Sequence, residues 1–282
     1  LEQFKRAVEI EPRHPGDRYN LALTLFRLTR YQEAAAEAQK AVSLDPAMED
    51  GYRLIARAYD AGGMRDKAVK AYEVLLEKGR GGNAEDNYRL AALYQQSGRT
   101  EEAAASFKRC LDKNGASFNC AFSLGELYRS SGKLTEAKKY YESAVNINPR
   151  SHEAHYALGT VSYSLGDRGK ALTHFKEALK IEPRLPAAHN SIGVVYDDLG
   201  KFGDAVKEYK QALKLDPGSA ETHNNLGVTL FKMRKYKEAE QAYLKALKLA
   251  PGSTSTHRNL SLVYEKLGLP DKAAEELKKA TR

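Results

Sequence analysis

Apolar and polar residues follow the period of an α-helix, broken at regular intervals. Over residues 186–199 the apolar positions are Ile192, Val195, Tyr196 and Leu199, spaced as one helical face. Gly200 predicts the end of that helix, because glycine tolerates the left-handed backbone that closes one. A second helix is predicted over residues 202–215, with Ala205, Tyr209 and Ala212 on one face. Asp216 and Pro217 stop it, since proline cannot continue the backbone hydrogen-bond ladder.

This pair of helices recurs. Alanine stands at Ala34, Ala68, Ala103, Ala137, Ala171, Ala205, Ala239 and Ala273, in steps of 34 residues with one step of 35 after Ala68. A second column is small: Ala22, Ala56, Ala91, Gly125, Gly159, Gly193, Gly227, Ser261. A third is mostly large: Phe4, Ala38, Tyr72, Phe107, Tyr141, Phe175, Tyr209, Tyr243, Leu277. Prolines form a fourth, at Pro12, Pro46, Pro149, Pro183, Pro217 and Pro251. Columns in phase along the chain predict stacked helical hairpins. Small residues are expected where two backbones cross closely, and large ones fill the adjacent groove.

The segment 189–217, HNSIGVVYDDLGKFGDAVKEYKQALKLDP, resembles the tetratricopeptide repeat signature of Leu-Gly, Tyr, Gly, Ala, Phe/Tyr, Ala and Pro, and the resemblance covers the whole chain. It implies an all-α fold, a right-handed superhelical solenoid of antiparallel helix pairs whose first helices line the concave side. The expected organisation is a single solenoid over 1–282. It has a half repeat at 1–14 and full repeats at 15–48, 49–82, 84–117, 118–151, 152–185, 186–219, 220–253 and 254–282. One hairpin alone cannot bury its apolar face, so neighbours must stack. Arg80 and Gly115 interrupt the proline column, and the glycine-rich segment 78–83 holds the extra residue, which suits a soft joint or a local loop adjustment. The chain begins at Leu1 inside a helical pattern, which predicts a piece of a longer protein.

Composition narrows the reading. With 42% hydrophobic and 29% charged residues the chain can build a core. No apolar run approaches the ~20 residues of a membrane-spanning helix, so no membrane insertion is expected. The net charge of +8 comes from 45 basic and 37 acidic residues spread along the chain. That spread disfavours nucleic acid as a ligand and suits acidic protein partners.

Catalytic motifs are missing: there is no phosphate-binding loop, zinc-protease helix or nucleophile elbow, so neither an enzyme activity nor a cofactor is expected. His155, His189, His223 and His257 recur at intervals of 34. Residues on neighbouring hairpins, with helices about 8–10 Å apart, cannot share one ion at bonds of ~2 Å. Packing is therefore the expected role and no metal site is expected. His152 and His155 lie three apart but lack further ligands. Cys110 falls in a small-residue column and Cys120 is on the next helix, so a disulfide between them is possible, but reduced thiols are the expectation.

If the small and large columns are buried, the opposite stripe of each first helix is free to bind. It holds Arg53, Arg57 and Asp60, then Tyr88 and Arg89, Phe122 and Arg129, and Tyr156 and Tyr163. Arginine and aromatic residues dominate binding hot spots, and arginine pairs bidentately with carboxylates. An acidic or aromatic anchor is the expected ligand there. Further on the stripe carries Asn190, Asn224, Asn225 and Asn259. An amide both donates and accepts, so this run could clamp the backbone of an extended peptide. It resembles the asparagine ladder of some superhelical repeat proteins, interrupted at Ser191, Ala157, Ser123 and Leu54. The Lys-Asn-Asn-Lys-Arg clamp that reads the acidic C-termini of heat-shock chaperones is not matched: its columns hold Arg53, Arg57, Arg89, Asn119 and Ser123. The resemblance thus implies a protein-interaction scaffold that binds a peptide or a partner helix. The alternatives are a targeting arm of a larger enzyme, such as a repeat-fused glycosyltransferase, and self-association through open array ends.

Overall fold

The computed structural model describes residues 1–78 and 81–281, among which there are seventeen helices and no strand. They form two compact units, Leu1–Lys133 and Leu134–Arg282. In the first, α1 (Glu2–Ile10) precedes three hairpins: α2 (Pro15–Arg27) with α3 (Tyr31–Leu44), α4 (Glu49–Ala61) with α5 (Arg65–Lys78), and α6 (Ala84–Gln96) with α7 (Thr100–Lys113). Helix α8 (Phe118–Ser130) completes it. In the second, α9 (Leu134–Ile147) precedes four hairpins: α10 (His152–Ser164) with α11 (Arg168–Ile181), α12 (Pro186–Asp198) with α13 (Phe202–Leu215), α14 (Ala220–Lys232) with α15 (Tyr236–Leu249), and α16 (Thr254–Lys266) with α17 (Pro270–Lys279).

Inside each unit every helix packs on the next one in sequence. Successive first helices also touch: α2 with α4 and α6 with α8 in the first unit, and α10, α12, α14 and α16 in turn in the second. No contact of that extent joins successive second helices among the described residues. The first helices therefore converge on the inner side of each stack, so both units are all-α solenoid segments.

The sequence columns explain the core. The alanines from Ala34 to Ala239 are fully buried, and Tyr72, Phe107, Tyr141, Phe175, Tyr209 and Tyr243 are at most 2% exposed. Phe4 and Leu277 of the same large column are exposed. A Cβ on Gly193 would lie 2.6 Å from the Tyr209 ring, and one on Gly227 2.6 Å from the Tyr243 ring. The small column is thus the imprint of the large one. Helix starts are set locally. Ser151, Ser219 and Ser253 accept from the backbone N–H of Ala154, Thr222 and Thr256, satisfying amides that a first turn leaves free.

Cys110 and Cys120, expected as reduced thiols, instead form a disulfide. It ties the last turn of α7 to the first turn of α8, with the two Cα atoms 6.3 Å apart, within the span a disulfide bridges. Spacing alone could not settle this, because the bond depends on how the two helices turn their side chains.

Gly79 and Arg80, part of the expected joint at 78–83, lie outside the described residues. Beyond them the chain is pinned. Asn83 and Asp86 cap α6 reciprocally, and the buried Asn87 donates to the carbonyls of Gly81 and Asn83 at 2.9 and 2.8 Å.

Candidate functional site

In the first unit the inner face is carried by α2, α4, α6 and α8. Arg57 is exposed, with its guanidinium 5.5 Å from the centroid of the Phe26 ring. Arg89, also exposed, pairs with Glu85 at 2.8 Å and lies 3.6 Å from Asp60. Phe26, Arg57, Asp60, Ala61 and Arg89 together line a cavity of about 330 Å³. It combines two cations, one acid and an aromatic wall, a setting for a carboxylate beside an apolar group. Phe26 was missed in the sequence, although it stands one 34-residue period before Asp60.

Arg53 does not join this cavity. Its side chain is 20% exposed, and its Nε donates to both oxygens of the buried Asp86 at 3.1 Å. Its remaining N–H groups pair with Glu49 and Asp50. Arg53 is thus committed to holding α4 against the start of α6. Tyr88 is half-buried, with its ring 5.8 Å from that of Phe107. Phe122 stacks on Phe118 at 5.6 Å, and Arg129 pairs with Glu126 on its own helix at 2.7 Å. None of these four lines the Arg57–Arg89 cavity.

In the second unit the asparagines come together, but chiefly with one another. Asn225 Nδ2 donates to Asn190 Oδ1 at 3.2 Å, and Asn259 Nδ2 donates to Asn224 Oδ1 at 3.3 Å. Thr256 also donates to Asn224, and Asn190 donates to Glu221, both at 3.2 Å. Two amide links thus join α12, α14 and α16. The side-chain carbonyls and second N–H groups of Asn225 and Asn259 make no hydrogen bond among the described residues, leaving room for a guest. Tyr156 packs on Phe175 at 5.5 Å, and its hydroxyl lies 3.4 Å from Ser191 Oγ. The Tyr163 hydroxyl donates to Asp198 at 2.8 Å, and burial followed by that bond pushes its pKa up. Beside these, the buried Asp197 accepts from Thr229 at 2.7 Å and pairs with Lys232. This trio leaves no periodic mark in the sequence, because its members belong to different columns.

Family models described as TPR repeat match residues 125–166, 159–200 and 197–234. Models described as tetratricopeptide repeat match 1–49, 50–78, 87–112, 220–253 and 258–282. The chain belongs to the tetratricopeptide repeat family. Among solved structures this repeat chain is similar to the C-terminal part of a TPR repeat-containing protein from Cytophaga hutchinsonii, at 18% identity and a TM-score of 0.70, covering 86% of this chain and 99% of that one. It is similar to YrrB, described as a TPR protein with an unusual peptide-binding site, at 23% identity and a TM-score of 0.57, covering 66% and 95%. It also resembles a chain of the APC/C hetero-tetramer Cut9-Hcn1, at 21% identity and a TM-score of 0.59, covering 94% of this chain and 52% of that one. No curated protein matches the sequence. At these identities the likeness concerns the fold.

Proposed function

We propose that this tetratricopeptide repeat chain is a protein-interaction scaffold whose first-helix faces hold an extended peptide or a partner helix. The observation that carries the reading is the cavity shared by Phe26, Arg57, Asp60 and Arg89. An acidic residue of the guest would meet the two guanidinium groups, and an apolar or aromatic neighbour would meet Phe26. In the second unit the unused valences of Asn225 and Asn259 would meet guest backbone. The peptide-binding site named for YrrB lends support from a protein of the same fold.

The test is the double variant Arg57→Glu/Arg89→Glu. Titration calorimetry with an extended acidic peptide carrying one Phe is expected to show affinity at least about tenfold weaker than for the unaltered chain, with unchanged helix content. Equal affinity would remove this site from the proposal. Arg53 is unsuited to the test. Removing it leaves Asp86 as a buried charge without its partner, a change that costs roughly 3 kcal/mol or more of stability.

A further inference from the structure

His155, His189, His223 and His257 occupy one position in the four first helices of the second unit. Three of them share an arrangement. The residue nineteen places on, in the second helix of the same hairpin, meets Nδ1: His174 at 3.3 Å from His155, Glu208 at 2.7 Å from His189, and Glu276 beside His257. For His223 that place is taken by Ala242. Its Nε2–H donates to the Pro217 carbonyl at 3.2 Å, so Nδ1 presents a bare lone pair. That atom is buried and has no partner, and the residue is 9% exposed. Native structures leave few buried polar atoms in this condition.

The missing side chain also opens space. Helices α13 and α15 enclose a cleft of about 720 Å³ with His223, Leu226 and Leu230 of α14 as its floor. Lys210, Lys214, Lys245 and Lys248 surround it, against the single acid Glu238. The first unit provides an internal control. There Ala71 stands nineteen residues after Tyr52, and a cleft of about 240 Å³ opens at the same place in the hairpin. In both hairpins an alanine at this position lines the groove. The unpaired histidine and the four lysines distinguish the groove over α14.

We propose that this groove docks an acidic amphipathic helix of a protein partner. Apolar residues of the guest cover Leu226 and Leu230, and one carboxylate reaches His223 Nδ1, as Glu208 and Glu276 do in the adjoining hairpins. A channel between two second helices that run in the same direction suits a third helix packing ridge into groove. The lysine ring selects a guest of opposite charge. The site is distinct from the amide links, because His223 and Asn225 lie on opposite sides of α14. Burial first, and then nearby Lys245, lower the pKa of His223 against the opposing pull of the Pro217 carbonyl, so the free ring is neutral. A carboxylate at Nδ1 favours the protonated ring. Docking therefore takes up a proton, and affinity rises as pH falls from about 8 to about 6.5. The charged groups that line the cleft with the ring are Lys210 and Lys214 from α13, and Glu238, Lys245 and Lys248 from α15, of which Lys245 acts on the ring.

Fluorescence anisotropy on the full chain, with a fluorescein-labelled amphipathic peptide of Leu, Ala and Glu, provides the test. Ala242→Glu supplies its own carboxylate and is expected to weaken binding at least about tenfold, as is Lys210→Glu/Lys245→Glu. A peptide with Gln in place of Glu is expected to lose as much on the unaltered chain. Nitrogen NMR is expected to show His223 Nδ1 passing from its bare to its protonated form when the Glu peptide is added. Arg57→Glu/Arg89→Glu should leave this binding intact, which separates the groove from the first-helix site. Equal affinity for Ala242→Glu with unchanged circular dichroism would overturn the proposal, as would an unmoved His223 resonance. Equal affinity for a single-stranded oligonucleotide of the same charge would also overturn it, since that would mark unspecific attraction by lysine.

Discussion

Gly193 shows how closely single residues are specified. A methyl group there would press on a buried ring that has nowhere to turn, because Tyr209 is 2% exposed. Gly193→Ala is expected to cost about 1–3 kcal/mol through overpacking, read as a lower midpoint in urea. The histidine column makes a second prediction, in pH. Burial first, and then His155, lower the pKa of His174 below its ordinary 6.5. A lowered histidine pKa favours the native state fully above the unfolded value. That contribution is lost as pH falls from about 6.5 through the folded value, where the unfolded chain binds the proton first. The melting temperature is expected to drop between about pH 7.5 and pH 5.5. His174→Glu, which gives His155 the partner that His189 already has, is expected to lessen the drop. The column positions were legible in the sequence because burial follows a strict period. The duties of Arg53 were not, since its decisive partner Asp86 lies 33 residues away in the next hairpin. Hairpin geometry turns a regular stripe into particular pairs.

At the scale of the helix, the hairpin turn is the clearest device. Gly63, Gly98, Gly166, Gly200 and Gly268 take positive φ there, while Thr29 and Arg234 hold the same place at φ 60° and 58°. A side chain in that conformation costs about 1–2 kcal/mol. Arg234→Gly is therefore expected to stabilise the α14–α15 hairpin by about 1 kcal/mol, detectable as slower hydrogen exchange in those two helices. Gly200 and Pro217 announced the ends of α12 and α13 to within a residue, because both act through the backbone. The disulfide between α7 and α8 was not legible, since cysteine pairing depends on the rotation of one helix against another. The asparagine row was visible as a row. Its inward use, amide to amide across α12, α14 and α16, depends on first helices coming within side-chain reach, which only the curvature of the stack decides.

At the scale of the whole molecule, packing within each unit is between neighbours: each helix leans on the one before and the one after, and first helices reach one hairpin further. Such an array has no central core whose loss releases everything together. Tension shows the consequence. Pulled from its two termini in an optical trap, the chain should lengthen in discrete rips rather than one large event. Each rip should free one 34-residue period, about 110–120 Å of extended polypeptide before subtracting the width of the folded hairpin. The two rips that release the neighbouring periods of Cys110 and Cys120 should together be shorter by the ten-residue separation the disulfide closes off, and should regain full length after reduction. A protein built this way can give up one layer under load while the layers beside it keep hold of whatever they carry.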